Sequence, residues 1–82
     1  MSVSDNAVVV LRRFGGRDLS GADLETIRQD VLGLTQEDVA SQWNYSRTYI
    51  SRMESAALTN QRIQDLYLGL LFRHFLYRNL GA

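Results

Sequence analysis

The 82-residue chain contains no cysteine, no proline and no lysine, and it has a single histidine, His74. Without cysteine it can form neither disulfides nor thiolate zinc sites, and it lacks a cysteine nucleophile. One histidine leaves little for a histidine-based metal cluster or a Ser-His-Asp triad. Paired carboxylates and a phosphate-binding loop do not stand out either. We therefore expect no enzyme activity, no metal, no cofactor and no small-molecule ligand.

Long hydrophobic runs are also missing. The apolar run at residues 7–11 is only five residues long and lacks the flanks of a signal peptide. No segment approaches the roughly 20 apolar residues of a membrane span. A chain of 82 residues is near the size at which a single hydrophobic core can stabilise the fold without disulfides or bound metal ions. We expect a single-domain cytoplasmic protein of bacterial or phage origin, with no membrane partner.

The formal net charge is zero, but the charges are unevenly distributed. Residues 1–38 hold four arginines and seven acidic residues, a net charge of −3, whereas residues 39–82 hold five arginines and two acidic residues, a net charge of +3. An overall neutral chain argues against nucleic-acid binding, because such domains are often strongly basic. The asymmetry weakens this objection, since it is expected of a protein with one DNA-facing side.

The most informative segment is residues 34–54, LTQEDVASQWNYSRTYISRME. Thr35 with Asp38 three residues later predicts a capping box at the start of one short helix. Asn44 stands where the chain must reverse, and asparagine tolerates the left-handed conformation. Ser46 can then cap a second helix, with Ile50 and Met53 on its inner side. The pattern predicts two short helices joined by a tight turn.

The segment resembles the helix-turn-helix of the Cro/lambda-repressor-like (XRE-type) transcriptional regulators. The resemblance lies in the Leu-Thr-Gln start, the Val39-Ala40 pair, the cap Ser46 and the Ile-Ser-Arg-Met-Glu ending at residues 50–54. The run at residues 46–51 is also similar to the controller proteins of restriction–modification systems. Asn44 and Tyr45 stand where that family usually has glycine and a small aliphatic residue. The resemblance implies a small all-α domain of about five helices that binds DNA.

The second helix of this segment carries the predicted contacts to base edges. A short helix whose free face is polar and bears arginine suits the major groove, and arginine paired with guanine is the commonest specific contact. A solvated face with an internal Arg47–Glu54 pair is the alternative. The predicted base-contact residues are Arg47, Thr48, Ser51 and Arg52.

Contacts to phosphate are predicted around the same helix. The resemblance implies that Gln36 binds phosphate and braces the recognition helix. Tyr49 can place its hydroxyl on a phosphate or pack against the turn, and the free amides at the next helix start favour an anion. The resemblance also implies an ion pair between Glu54 and an arginine, for which Arg28 is a candidate. The predicted phosphate-contact residues are Gln36, Ser46, Tyr49, Asn60 and Arg62.

Helices are also predicted on both sides of this segment. Ser20 and Asp23 predict a helix start, and Gly33 its end. We expect residues 1–18 to form an N-terminal arm or extension. It is either a short helix capped by Ser4 or Asp5, running through Phe14 and ended by two glycines, or an edge strand favoured by the valines at 8–10. We expect residues 19–82 to form the DNA-binding domain. Its long last helix, from about residue 61 to 79, contains Gly69, which could bend or split it.

The last helix has more apolar surface than one core needs. One stripe holds Ile63, Leu66, Leu70 and Tyr77, which we expect to face the core. Large exposed apolar patches usually mark an interface, and a dimer would read a palindromic site. Cover by residues 1–14 is the alternative. The residues predicted to form a homodimer interface are Leu68, Phe72, Phe75 and Leu76.

Together these patterns predict a homodimeric repressor or autoregulator that binds a palindromic operator in double-stranded DNA. Operons of phage, restriction–modification, defence or anti-defence systems all fit this format. Two alternatives remain, an antitoxin and a protein-interaction adaptor. In both, the apolar last helix would bind a different protein.

Overall fold

The computed structural model describes the backbone of residues 5–80 and the side chains of residues 8–78. Five helices follow one another and no strand occurs within this range. They are α1 (Asp5–Phe14), α2 (Gly21–Glu25), which continues as a π-helical segment (Thr26–Val31), α3 (Gln36–Trp43), α4 (Arg47–Ser55) and α5 (Gln61–Leu80). The expected all-helical fold class is confirmed for the described residues.

The N-terminal segment forms a helix, α1, and not the edge strand that was the alternative. It ends at Phe14, directly before the predicted stop at Gly15 and Gly16. Phe14 is buried in the common core, and Val10 and Leu11 pack against it. The segment assigned to an arm is therefore packed on the domain through the last turn of α1. Ser4, one of the two predicted caps of this helix, lies outside the described residues.

Helix α2 begins where the sequence predicts. The Ser20 hydroxyl accepts a hydrogen bond from the Asp23 amide (3.2 Å), and the Asp23 carboxylate accepts one from the Ser20 amide (3.0 Å). Such reciprocal bonds satisfy amides that have no partner inside the helix. Leu24 and Ile27 are fully buried. The chain then widens into the π-helical segment, which the sequence did not predict, and leaves it at Gly33 with φ of +67°.

Asp23 also forms an ion pair that makes stability depend on pH. Both terminal nitrogens of Arg17 donate to its carboxylate, at 2.8 and 3.1 Å. These bonds, with those from Ser20, lower the pKa of Asp23 from 3.8 to about 2. A carboxylate with a lowered pKa stabilises the fold above its unfolded-state pKa, and this stabilisation is lost as the pH falls through the folded-state value.

We expect Asp23→Asn to lower the melting temperature at neutral pH and to reduce the loss of stability between pH 3.8 and about 2. Thermal melts at several pH values, followed by circular dichroism, measure both effects. Asp30→Asn is the matched control, because it removes an exposed carboxylate that takes part neither in the Ser20 cap nor in the ion pair with Arg17. Identical pH profiles for Asp23→Asn and the unmodified chain would contradict the assignment.

Helices α3 and α4 are joined by a tight turn with the predicted caps. Thr35 accepts from the Asp38 amide (3.1 Å) and Asp38 accepts from the Thr35 amide (2.8 Å). Asn44 ends α3 in the left-handed conformation, with φ of 60°. Ser46 then caps α4 by accepting from the Tyr49 amide (3.1 Å). Local sequence signals thus fix both helix boundaries and the reversal between them.

The core lies between α5 and the four earlier helices. Its buried residues on α5 follow one another at intervals of four, as Ile63, Tyr67, Leu71 and Phe75. The predicted inner stripe was wrong in part: Leu66 and Leu70 are only partly buried, and Tyr77 is 64% exposed. Helix α5 runs through Gly69 without a break. Within the residues described, no helix is both long and apolar enough to cross a membrane.

Candidate nucleic-acid interface

Helix α4 has one buried side and one exposed polar side. Ile50 is fully buried and Glu54 is 5% exposed, so these two residues fix the orientation of the helix. The other side carries the four residues predicted to contact bases, and all four are exposed. They line a shallow cavity of about 250 Å³ together with Gln36 from α3. The residues brought together are Gln36, Arg47, Thr48, Ser51 and Arg52.

A buried carboxylate beneath this surface joins four parts of the chain. Arg28, in the π-helical segment, donates to Glu54 through Nε (2.7 Å to Oε2) and Nη2 (2.9 Å to Oε1). Tyr67 of α5 donates its hydroxyl to Oε2 (2.7 Å), and Gln36 of α3 donates its amide nitrogen to Oε1 (3.2 Å). Arg28 Nη1 also donates to the carbonyl of Leu34 (2.8 Å). The expected Glu54–Arg28 pair is present.

The ionisation of this cluster follows from its contacts. Burial alone would raise the pKa of Glu54, but hydrogen bonds from Arg28, Tyr67 and Gln36 outweigh it and lower the pKa. Burial, and then the hydrogen bond to Glu54, raise the pKa of Tyr67. The hydrogen bond to Glu54 raises the pKa of Arg28. At neutral pH the cluster therefore holds a carboxylate, a guanidinium and a neutral phenol.

The structure gives the predicted phosphate-contact residues different surroundings. Ser46 is exposed and caps α4, while Arg62 is exposed on the first turn of α5. Tyr49 is half-buried against Tyr45, with ring centroids 4.6 Å apart, so it packs on the turn. Asn60 accepts from the Ile63 amide (2.8 Å) and thereby caps α5. Gln36 donates one amide hydrogen to Glu54 and so braces α3 against α4.

The predicted interface residues on α5 do not share one surface. Phe75 is 5% exposed and belongs to the core, which corrects its placement on a free surface. Leu68 is partly buried against the core as well. Phe72 is 58% exposed and Leu76 is 41% exposed. The helix is apolar on several sides, so its sequence alone does not reveal which side α1 and the core cover.

Tyr67 is a site residue that was not predicted from the sequence. Its ring lies 5.0 Å from that of Trp43, and its hydroxyl reaches Glu54, so it ties α5 to both α3 and α4. Its position four residues after Ile63 and four before Leu71 is the signal that could have found it. Trp43 is half-buried.

The chain was compared with protein-family models, with curated proteins and with solved structures, and none of these comparisons gives a match. In the part of the chain that the structure describes, no three metal-ligating side chains come together. The function of the chain is therefore inferred from the geometry of α3, α4 and their neighbours.

Proposed function

We propose that the chain is a sequence-specific DNA-binding regulator of the helix-turn-helix type, with α4 as the recognition helix in the major groove. The observation that carries the proposal is the exposed polar face of α4, where Arg47, Thr48, Ser51 and Arg52 share one surface with Gln36. Side chains that reach base edges must project from a helix whose opposite side is held firmly. Ile50 and Glu54 hold that side here.

The orientation of α4 supports this reading further. Arg28 and Tyr67 hold Glu54 from two other elements, and Gln36 ties the first turn of α3 to the same carboxylate. Because Glu54 is taken by these partners, the alternative Arg47–Glu54 pair is not formed. The Arg47 guanidinium therefore remains on the exposed side of α4. Arginine there can bind guanine or phosphate in a planar, bidentate manner.

The proposed ligand is a palindromic double-stranded operator bound by a homodimer, as in a repressor or autoregulator of a phage or bacterial operon. Two copies of α4 related by a two-fold axis would read two half-sites about one turn of DNA apart. A small regulator of this kind acts by occupancy, because a bound dimer blocks the polymerase. We expect it to act in the cytoplasm, without a cofactor.

Selection from a random-sequence duplex library, followed by fluorescence anisotropy on the selected duplex, tests the proposal. We expect binding that resists competitor DNA and weakens as salt increases. Arg47→Ala/Arg52→Ala should weaken binding to the selected duplex about 30-fold or more, because each bidentate arginine contact discriminates by about 1–3 kcal/mol.

The matched control is Arg12→Ala/Arg13→Ala, which removes the same charge from exposed positions on α1. It should change affinity by about twofold or less at physiological salt, because exposed charges away from the contact are screened. Equal losses in the two double variants would show that only overall charge matters. If no sequence is enriched from the library, the exposed apolar residues of α5 make an antitoxin or adaptor the better interpretation.

A further inference from the structure

No contact within a single chain explains why residue 69 of α5 is a glycine. It lies in the middle of a continuous 20-residue helix, where glycine is less favourable than alanine. A methyl group added at Gly69 would meet no atom of the described chain within 4 Å. No contact in the described part of the chain therefore requires a residue without a side chain at this position.

Gly69 belongs to an exposed stripe that runs along α5. Asp65, Gly69, Phe72 and Leu76 are all exposed and follow one another at intervals of four, three and four. Residues at these spacings lie on one side of a helix, and alternating intervals of three and four are typical of helices that pack along a shared seam. The stripe lies on the opposite side of α5 from the buried residues Tyr67 and Leu71.

Two oppositely charged residues, one in the stripe and one beside it, lie at equal distances from Gly69. Asp65 lies four residues before it and Arg73 four residues after it, and both are exposed. Each is therefore about 6 Å from Gly69 along the helix axis. If two copies of α5 cross antiparallel at Gly69, Asp65 of each chain lies level with Arg73 of the other. A two-fold axis thus creates two ion pairs of opposite charge.

We propose that two copies of this chain dimerise by an antiparallel crossing of their α5 helices at Gly69. Phe72 of each chain packs beside Gly69 of the other, where the missing side chain lets the helix axes approach closely. Leu76 lies seven residues after the crossing, level with the exposed Arg62 of the other chain, whose aliphatic carbons it can contact. Asp65 pairs with Arg73 across the dimer. The inference rests on the proposed function only in that it identifies the surface by which the DNA-binding dimer forms.

A second copy fits this surface better than a different protein. The stripe is self-complementary, because its acid and its arginine are placed at equal distances on either side of the residue at the crossing. An isologous contact needs this arrangement, since every interaction occurs twice. The pattern also separates Phe72 and Leu76, which take part, from Leu68 and Phe75, which the chain itself covers.

Sedimentation velocity of the full chain without DNA, over a range of concentrations, tests the crossing. We expect a monomer–dimer equilibrium that Gly69→Gln weakens about tenfold or more, because a long side chain at the crossing separates the helices. The melting temperature of the dilute variant should not fall, since glutamine favours a helix more than glycine does. A monomer at every concentration, or a Gly69→Gln dimer of unchanged affinity, would overturn the proposal.

Charge reversal tests the register. Asp65→Arg and Arg73→Asp should each weaken dimerisation, and the double variant Asp65→Arg/Arg73→Asp should restore it, because the pairs re-form with opposite polarity. Asp30→Arg/Arg73→Asp keeps the same net charge but changes an exposed acid outside α5, so it should not restore the dimer. Equal behaviour of the two double variants would rule out the Asp65–Arg73 pairing.

The proposed dimer and the proposed DNA binding can be refuted independently of each other. Arg47→Ala/Arg52→Ala should leave sedimentation unchanged, because these residues lie on α4. A Gly69-dependent dimer that selects no DNA sequence would refute the proposed function and leave this inference standing. Specific DNA binding by a chain that stays monomeric in sedimentation, or whose dimer ignores Gly69→Gln, would refute this inference alone.

Discussion

Glu54→Gln is expected to destabilise the fold by about 3–5 kcal/mol, because it leaves the buried guanidinium of Arg28 without its counter-charge. The Glu54 side chain is only 1% exposed and that of Arg28 8% exposed, so solvent cannot replace the lost interaction. Glutamine keeps the size of the side chain and can still accept from Tyr67. The loss therefore reports the charge rather than a cavity. Urea denaturation followed by circular dichroism measures it.

Two further variants separate the ion pair from the hydrogen bonds around it. Glu37→Gln removes an exposed carboxylate near the start of α3 and should change the free energy of unfolding by less than about 0.5 kcal/mol. Arg28→Met/Glu54→Gln removes both charges and should recover part of the stability lost in the single variant, because no unpaired charge stays buried. A single variant within about 1 kcal/mol of the unmodified chain would show that the pair is not important for stability.

Glu54→Gln should also disturb the exposed side of α4. Gln36 donates to the same carboxylate, and Tyr67 connects it to α5. Removing the charge weakens the contacts that hold α3 and α4 in register beneath Arg47 and Arg52. If the proposed function is right, DNA affinity will fall in Glu54→Gln even though residue 54 faces away from the groove.

Local signals in the sequence predicted the helix boundaries well. Thr35 with Asp38, Ser20 with Asp23, and Ser46 each act on amides within three residues, so the pattern that forms them is contiguous in sequence. Asn44 likewise adopts the left-handed conformation within a single turn. The same holds for the exposed residues of α4, since the phase of a short helix follows from its buried Ile50.

Features that depend on contacts between distant segments were harder to predict. The rotation of α5 about its axis could not be read from a helix with apolar residues on most sides, which is why Tyr77 was placed inward and Phe75 outward. The π-helical segment has no simple sequence signal, yet it carries Arg28 to a partner 26 residues away. Tyr67 was missed for the same reason, because its hydroxyl partner belongs to another helix.

Gly21 is the clearest example of such a long-range requirement. No local sequence pattern predicts a role for it, and its place as the first residue of α2 does not by itself demand glycine. In the fold, its amide donates to the carbonyl of Ala56 (2.9 Å) just after α4 ends. A methyl group on Gly21 would lie 2.5 Å from the carbonyl oxygen of Glu54 and 2.6 Å from that of Ala56, and also against that of Met53.

Gly21→Ala is therefore expected to cost about 3 kcal/mol or more, because the obstructing atoms belong to the backbone and cannot rotate away. The start of α2 would have to separate from the end of α4, breaking the bond to Ala56 and disturbing Glu54. At positions where alanine fits the backbone conformation without strain, glycine-to-alanine changes commonly stabilise a protein by about 0.4–1 kcal/mol. The sign of the effect thus distinguishes a close backbone approach from an ordinary helix position. Thermal and urea unfolding give that sign directly.

Gly16→Ala is the matched control for this experiment. A methyl group there meets no described atom within 4 Å, and the residue is exposed in the turn after α1. Its effect should stay within about 1 kcal/mol of zero. If Gly21→Ala behaves like Gly16→Ala, α2 and α4 do not approach as closely as the structure shows. The position of α4 would then have to depend on its buried residues Ile50 and Glu54 and not on a close approach to α2.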